Sequence, residues 1–140
     1  MSLIIATTCL NSCKDEEVIP IGEDKLNLLI SKSWKPSMTD KNSKTNPPGS
    51  FIYHATLSCE LDDTYQFDAR NKLTIVKGQE PCNANETNQE TTEYSVSADE
   101  KQLIINGKVY IIAEISATQL KYYAVLAAVA GGNKVYLFEH

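Results

Sequence analysis

The sequence predicts an all-β fold, an antiparallel up-and-down β-barrel of about eight strands with a short N-terminal helix. Three observations lead there. From residue 51 onward the chain falls into short runs rich in β-branched and aromatic residues, separated by Gly, Asn, Asp and Ser. Asn106-Gly107 between two such runs is a strong hairpin signal, because both central residues of a type I′ turn need positive φ. The last strands carry apolar groups at both alternating sets of positions, so both faces need shielding, and closing the sheet on itself supplies it while removing the edges. The 140 residues, 42% hydrophobic and 22% charged, support one core and one domain.

Residues 1–13 read as a truncated lipoprotein signal peptide. An apolar run from Leu3 ends in Leu10-Asn-Ser-Cys13, with an aliphatic residue three positions before the cysteine and small Ser12 immediately before it, where a signal peptidase needs little bulk. Cys13 is the expected lipidation site. No basic segment precedes the run, and an ordinary first strand or a tail is the competing reading. A diacylated, N-acylated cysteine buries enough methylenes, at about 0.8 kcal/mol each, for permanent anchoring. No stretch reaches the roughly 20 apolar residues of a membrane-spanning helix, so the expected membrane contact is lipid alone, at the outer membrane.

Residues 14–24, with Asp15, Glu16, Glu17, Glu23 and Asp24, form an acidic tether, and residues 25–140 form the barrel domain. A helix is expected over 24–33, capped by Asp24, with Leu26, Leu29 and Ile30 on one face and Pro36 beyond its end. Residues 40–50 are dense in turn formers and read as a long exposed loop. Strands are expected at 51–57, 64–67, 72–76, 91–96, 102–105, 108–115, 119–127 and 134–138. Hairpins fall at 68–71, 97–101, 106–107 and 131–133. Residues 77–90 are polar and loop-like, with Cys82 as their one fixed point. In the strand at 119–127, Leu120, Tyr122, Ala124 and Leu126 share one face and Lys121, Tyr123, Val125 and Ala127 the other; in the strand at 108–115, Val109, Ile111, Ala113 and Ile115 oppose Tyr110, Ile112 and Glu114.

Cysteine arithmetic supports the same compartment. Removing Cys9 with the signal and committing Cys13 to lipid leaves Cys59 and Cys82 as an even pair, which oxidises beyond an inner membrane; two buried free thiols are the alternative. A bond between them, with α-carbons within about 7 Å, stabilises by about 3 kcal/mol on the chain-entropy model.

The run Cys59-Glu-Leu-Asp-Asp-Thr-Tyr-Gln-Phe67, then Lys72-Leu-Thr-Ile-Val-Lys-Gly78 and Cys82, followed by Tyr94-Ser-Val96, Leu103-Ile-Ile105 and Leu120, resembles the lipocalin-like domain family of bacteroidete lipoproteins. The resemblance covers roughly residues 26–138, with Lys32 where lipocalin first strands carry the glycine of Gly-x-Trp. It implies a helix, a first strand bearing Trp34, and a small barrel with an interior site. It also implies that Cys13-Lys-Asp-Glu-Glu17 is similar to the surface-export signal of such lipoproteins.

Chemistry is sparse. A net charge of −5 and a single arginine, Arg70, argue against a nucleic-acid surface. His54, the only histidine inside the fold, is expected to be a hydrogen-bonded sheet residue, and His140 is terminal. Glu60, Asp62, Asp63 and Asp68 lack the ligand alternation of a calcium loop and read as turn residues. Asn85-Glu-Thr87 is a coincidental sequon, and no phosphate loop, dinucleotide fingerprint or nucleophile elbow is present. No enzyme activity, cofactor or metal is expected. The candidate ligand-binding residues are aromatic: Tyr65, Phe67, Tyr94, Tyr110, Tyr122, Tyr123 and Tyr136, with Tyr53 also on a strand; the competing reading is a half-exposed sheet. The leading expectation is a barrel that binds a small, largely apolar molecule in an interior of at least about 300 Å³, where ligand sites begin. The rival is a cell-surface interaction module, an accessory to glycan or nutrient uptake, that makes contact through loops 40–50 and 77–90 and exposed tyrosines.

Overall fold

A computed structural model describes residues 25–128 and 131–140. Cys9, the Cys13 lipidation site, the signal of residues 1–13, the tether of 14–24 and the Asp24 cap lie outside them. The elements, in chain order, are α1 (Lys25–Ser31), β1 (Ser33–Pro36), β2 (Ser50–Tyr53), β3 (Thr64–Phe67), β4 (Lys72–Val76), β5 (Gln89–Val96), β6 (Gln102–Ile105), β7 (Lys108–Ile115), β8 (Gln119–Val125) and β9 (Gly132–Glu139). Antiparallel ladders run β1-β3-β4-β5-β6-β7-β8-β9 and return to β1, giving a closed eight-stranded barrel with one short helix. β2 adds to β9 as a parallel ninth strand.

Closure depends on two strands that change partner midway. In β1, Ser33 and Trp34 pair with β3 while Lys35 and Pro36 pair with β9. In β5, residues 89–93 pair with β4 and 94–96 with β6. β9 is shared in the same way: its C-terminal residues hold β1, and its N-terminal half holds β2. β1 has no periodic signature because it is four residues long and ends in a proline, which has no N–H to offer a ladder. The strand expected at 51–57 is shorter because, once His54 N–H has bonded to the Val135 carbonyl at 2.7 Å, the chain leaves β9 for a 3₁₀ turn at Ser58–Glu60.

The hairpins follow their local chemistry. Asn106 and Gly107 have φ of 49° and 78°, as a type I′ turn requires, and Asn71 and Glu100 close the neighbouring hairpins in the same left-handed region. Asp68 accepts from the backbone N–H of Arg70 and Lys72, completing the β3–β4 turn.

One end of the barrel is filled. Leu29 of α1 and Trp34 of β1 are fully buried beside Phe67, Leu73, Tyr94, Leu103, Ile112, Ile115 and Leu120, and the Trp34 indole N–H donates to the Leu29 carbonyl at 3.0 Å. In β7 the alternation read from sequence does not persist. A bulge between Ile112 and Glu114 inserts Ala113, so Ile112 and Ile115 both join the core instead of facing opposite ways. No helix among the described residues is long and apolar enough to cross a membrane.

Candidate functional site

Toward the other end the barrel is not filled. Four strands bring tyrosines to one interior space: Tyr65 from β3, Tyr110 from β7, Tyr122 from β8 and Tyr136 from β9. Alternation makes these neighbours, since Tyr122 is the direct cross-strand partner of Tyr136 and Ile112 that of Tyr122. The Tyr122 and Tyr136 rings stack at 5.3 Å, with Tyr110 edge-on at 4.9 Å from Tyr122 and 5.6 Å from Tyr136. Ile75, Ile105 and Phe138 complete the apolar wall, and His54, Thr56 and Glu60 enter from the segment that leaves β2. The cavity is about 220 Å³ and is partly open to solvent.

None of the four phenol hydroxyls has a hydrogen-bond partner among the described residues. Burial pushes the Tyr65 hydroxyl up to about 12, helped by the charge of Glu60, and raises Tyr110, Tyr122 and Tyr136 as well. All four therefore remain protonated donors at neutral pH. His54 stacks on Tyr136 at 4.7 Å, and its Nδ1 is buried with no partner. Desolvation, then the charge of Lys134, lowers its pKa from the usual histidine value, so the ring is neutral at pH 7.

The nominated aromatic residues thus divide. Tyr65, Tyr110, Tyr122 and Tyr136 meet at the cavity. Phe67 and Tyr94 do not: they pack edge-on at 4.9 Å in the filled end, where the Tyr94 hydroxyl donates to the Asp68 carbonyl. Tyr123 does not either, because it alternates with Tyr122 and lies on the outer face of β8. Tyr53 is exposed, with its hydroxyl on Asp40 at 2.8 Å. His54 is hydrogen-bonded to the sheet as expected, through its backbone N–H, and its ring lies at the cavity wall. Thr56 and Glu60 were not legible, since nothing in strand alternation describes a segment that leaves the ladder. The volume of about 220 Å³ also falls short of the roughly 300 Å³ expected of the interior, where ligand sites begin.

A disulfide braces the cavity rim. Cys59 and Cys82 are bonded, with α-carbons 5.3 Å apart, tying the 3₁₀ turn that carries Glu60 to the loop after β4. Cys82 is not that loop's only fixed point. Buried Asp63 accepts from the Gly78 N–H at 2.9 Å and from the Lys77 ammonium at 3.4 Å; Lys77 also pairs with Glu86, and Asp62 accepts from the Gln79 N–H. A β-carbon at Gly78 would meet the Asp62 carboxylate, which would have to swing away and give up its bond to the Gln79 N–H.

A second polar cluster lies on the outer face of β8. Lys121 is fully buried, and its ammonium donates to Asp40 at 2.9 Å, to the Asn42 carbonyl at 2.7 Å and to Asn46 at 2.8 Å. Gln119 bridges Asp40, Glu114 and the Lys41 N–H, and Thr45 donates to Glu114. The segment 40–50, read as an exposed loop, is instead strapped to the barrel wall, with a 3₁₀ turn at Ser43–Thr45. Every donor of the ammonium is used within the fold, which makes this cluster structural.

Comparison with protein-family models, with curated proteins and with solved structures returned no match.

Proposed function

We propose that this protein is a non-catalytic, lipocalin-like barrel, lipid-anchored at Cys13 on the outer membrane, that holds a compact ring-bearing molecule in its interior. The observation that carries the reading is the convergence of four unengaged phenol hydroxyls, from four different strands, on one cavity. These hydroxyls face accessible space at the cavity, where a bound molecule that accepts from them takes the place of water. Aromatic walls with a few polar groups are the usual make-up of small-molecule sites, and the volume selects a ligand of ring size over a fatty chain. The disulfide supports export to an oxidising compartment, in line with the lipoprotein signal read from residues 1–13. The rival, a surface module, draws less support: Tyr65, Tyr110, Tyr122 and Tyr136 gather inward, and loops 40–50 and 77–90 direct many of their polar groups to the barrel itself.

Native mass spectrometry of the full chain, released gently from cell envelopes, tests the reading. A retained small mass is expected in the natural protein and is reduced in Ile105→Phe, whose larger side chain narrows the cavity that Ile105 lines. A ligand-free natural protein under conditions that preserve weak complexes overturns it.

A further inference from the structure

Two lysines at the cavity edge point to the charge of the ligand, an inference that rests on the binding reading above. Lys108 precedes Tyr110 by two positions on β7 and Lys134 precedes Tyr136 by two on β9, so alternation places both on the inward face. The Lys108 ammonium lies 5.2 Å from the Tyr110 ring centre and that of Lys134 5.9 Å from the Tyr136 ring centre, while those rings are 5.6 Å apart. Neither lysine has a carboxylate partner among the described residues. This contrasts with Lys77 and Lys121, which the fold supplies with acids. Lys134 is nevertheless half-buried.

The carboxylate lining the cavity is Glu60, one of whose oxygens already accepts from the Leu57 N–H at 3.0 Å, while the Asp63 and Glu90 charges that also act on Tyr65 are paired with Lys77. Two ammoniums without an acid of their own, against that one lining carboxylate, leave a local positive excess among these groups in a chain whose net charge is −5. A monoanion neutralises that excess, and the protonated phenols inside are donors that suit an acceptor. We propose that the ligand is a compact aromatic carboxylate, with its ring against Tyr110, Tyr122 and Tyr136 and its carboxylate at Lys108 and Lys134.

The test titrates the full chain with 4-hydroxybenzoate and with its neutral isostere 4-hydroxybenzamide, following the tyrosine ring signals by NMR. The carboxylate is expected to bind about tenfold more tightly, a modest gain for a partly desolvated charge pair. The preference should vanish in the Lys108→Met, Lys134→Met double variant. Salt gives a measurement independent of that variant's folding: in the natural protein, carboxylate affinity should fall as ionic strength rises past about 0.15 M, while amide affinity holds. Equal or tighter binding of the amide, or carboxylate affinity indifferent to salt, overturns the charge assignment while leaving the cavity reading intact. If neither probe moves the tyrosine signals, both fall.

Discussion

Lys121 shows how far a single residue's environment can depart from its sequence setting. It sits in an apolar strand run, yet in the fold it is a fully buried cation coordinated by Asp40, Asn42 and Asn46. Burial alone would raise the Asp40 pKa, but hydrogen bonds from Lys121, the Asn42 N–H, Tyr53 and Asn46 hold it well below the carboxylate range. Lys121→Met leaves that acid without its cation, and chemical denaturation should show a loss of about 3 kcal/mol. Because the folded pKa of Asp40 is depressed, its contribution is complete at neutral pH and is lost as pH falls below about 4, the unfolded value. Asp40→Asn should therefore flatten the acid limb of the stability profile. His54 has the same sign for a different reason. Its folded pKa is lowered by burial, so protonation opposes folding once pH drops below about 6.5. His54→Phe keeps a ring on Tyr136 and removes the orphaned Nδ1, so its melting curve should show no loss at pH 7 and a gain over the natural protein at pH 5.

At the level of elements, the disulfide and the loop after β4 act as one unit. Cys82→Ser, or reduction, should lower stability by about 2 to 4 kcal/mol. Hydrogen exchange should then rise across residues 79–88, and at the Lys77 N–H that donates to the Asn88 carbonyl, while the Gly78 N–H stays protected, because Asp63 accepts from it independently of the bond. Exchange at Gly78 rising along with that of residues 79–88 would show that Asp63 contributes no anchor. The hairpins were legible because each rests on local backbone chemistry, above all Asn106-Gly107 with its pair of positive φ values. The Ala113 bulge was not legible. An inserted residue leaves the apolar pattern of β7 looking regular, and only the register against β8 reveals that Ile112 and Ile115 share the core.

For the whole molecule, the barrel is a filled base beneath a small cavity, and Trp34 holds the base. It is fully buried, closes β1 against β3 and bonds to α1, so Trp34→Ala should cost about 3 to 5 kcal/mol and disorder α1. Far-ultraviolet and near-ultraviolet circular dichroism on a thermal ramp measures both effects, and a loss below about 1 kcal/mol would mean the helix is not a plug. Sequence alone determined what depends on neighbours a few residues apart: the all-β class, the strands at 64–67, 72–76, 102–105 and 108–115, the turns between them, and the even cysteine pair. The tertiary structure decided everything that depends on which strands meet. It sorted the aromatic residues into cavity walls, filled core and outer face, turned His54 and Glu60 toward the cavity, and set its volume at about 220 Å³. The physical reason is that alternation states which residues share a face of one strand, whereas a cavity exists only where faces from several strands converge and leave a space unfilled.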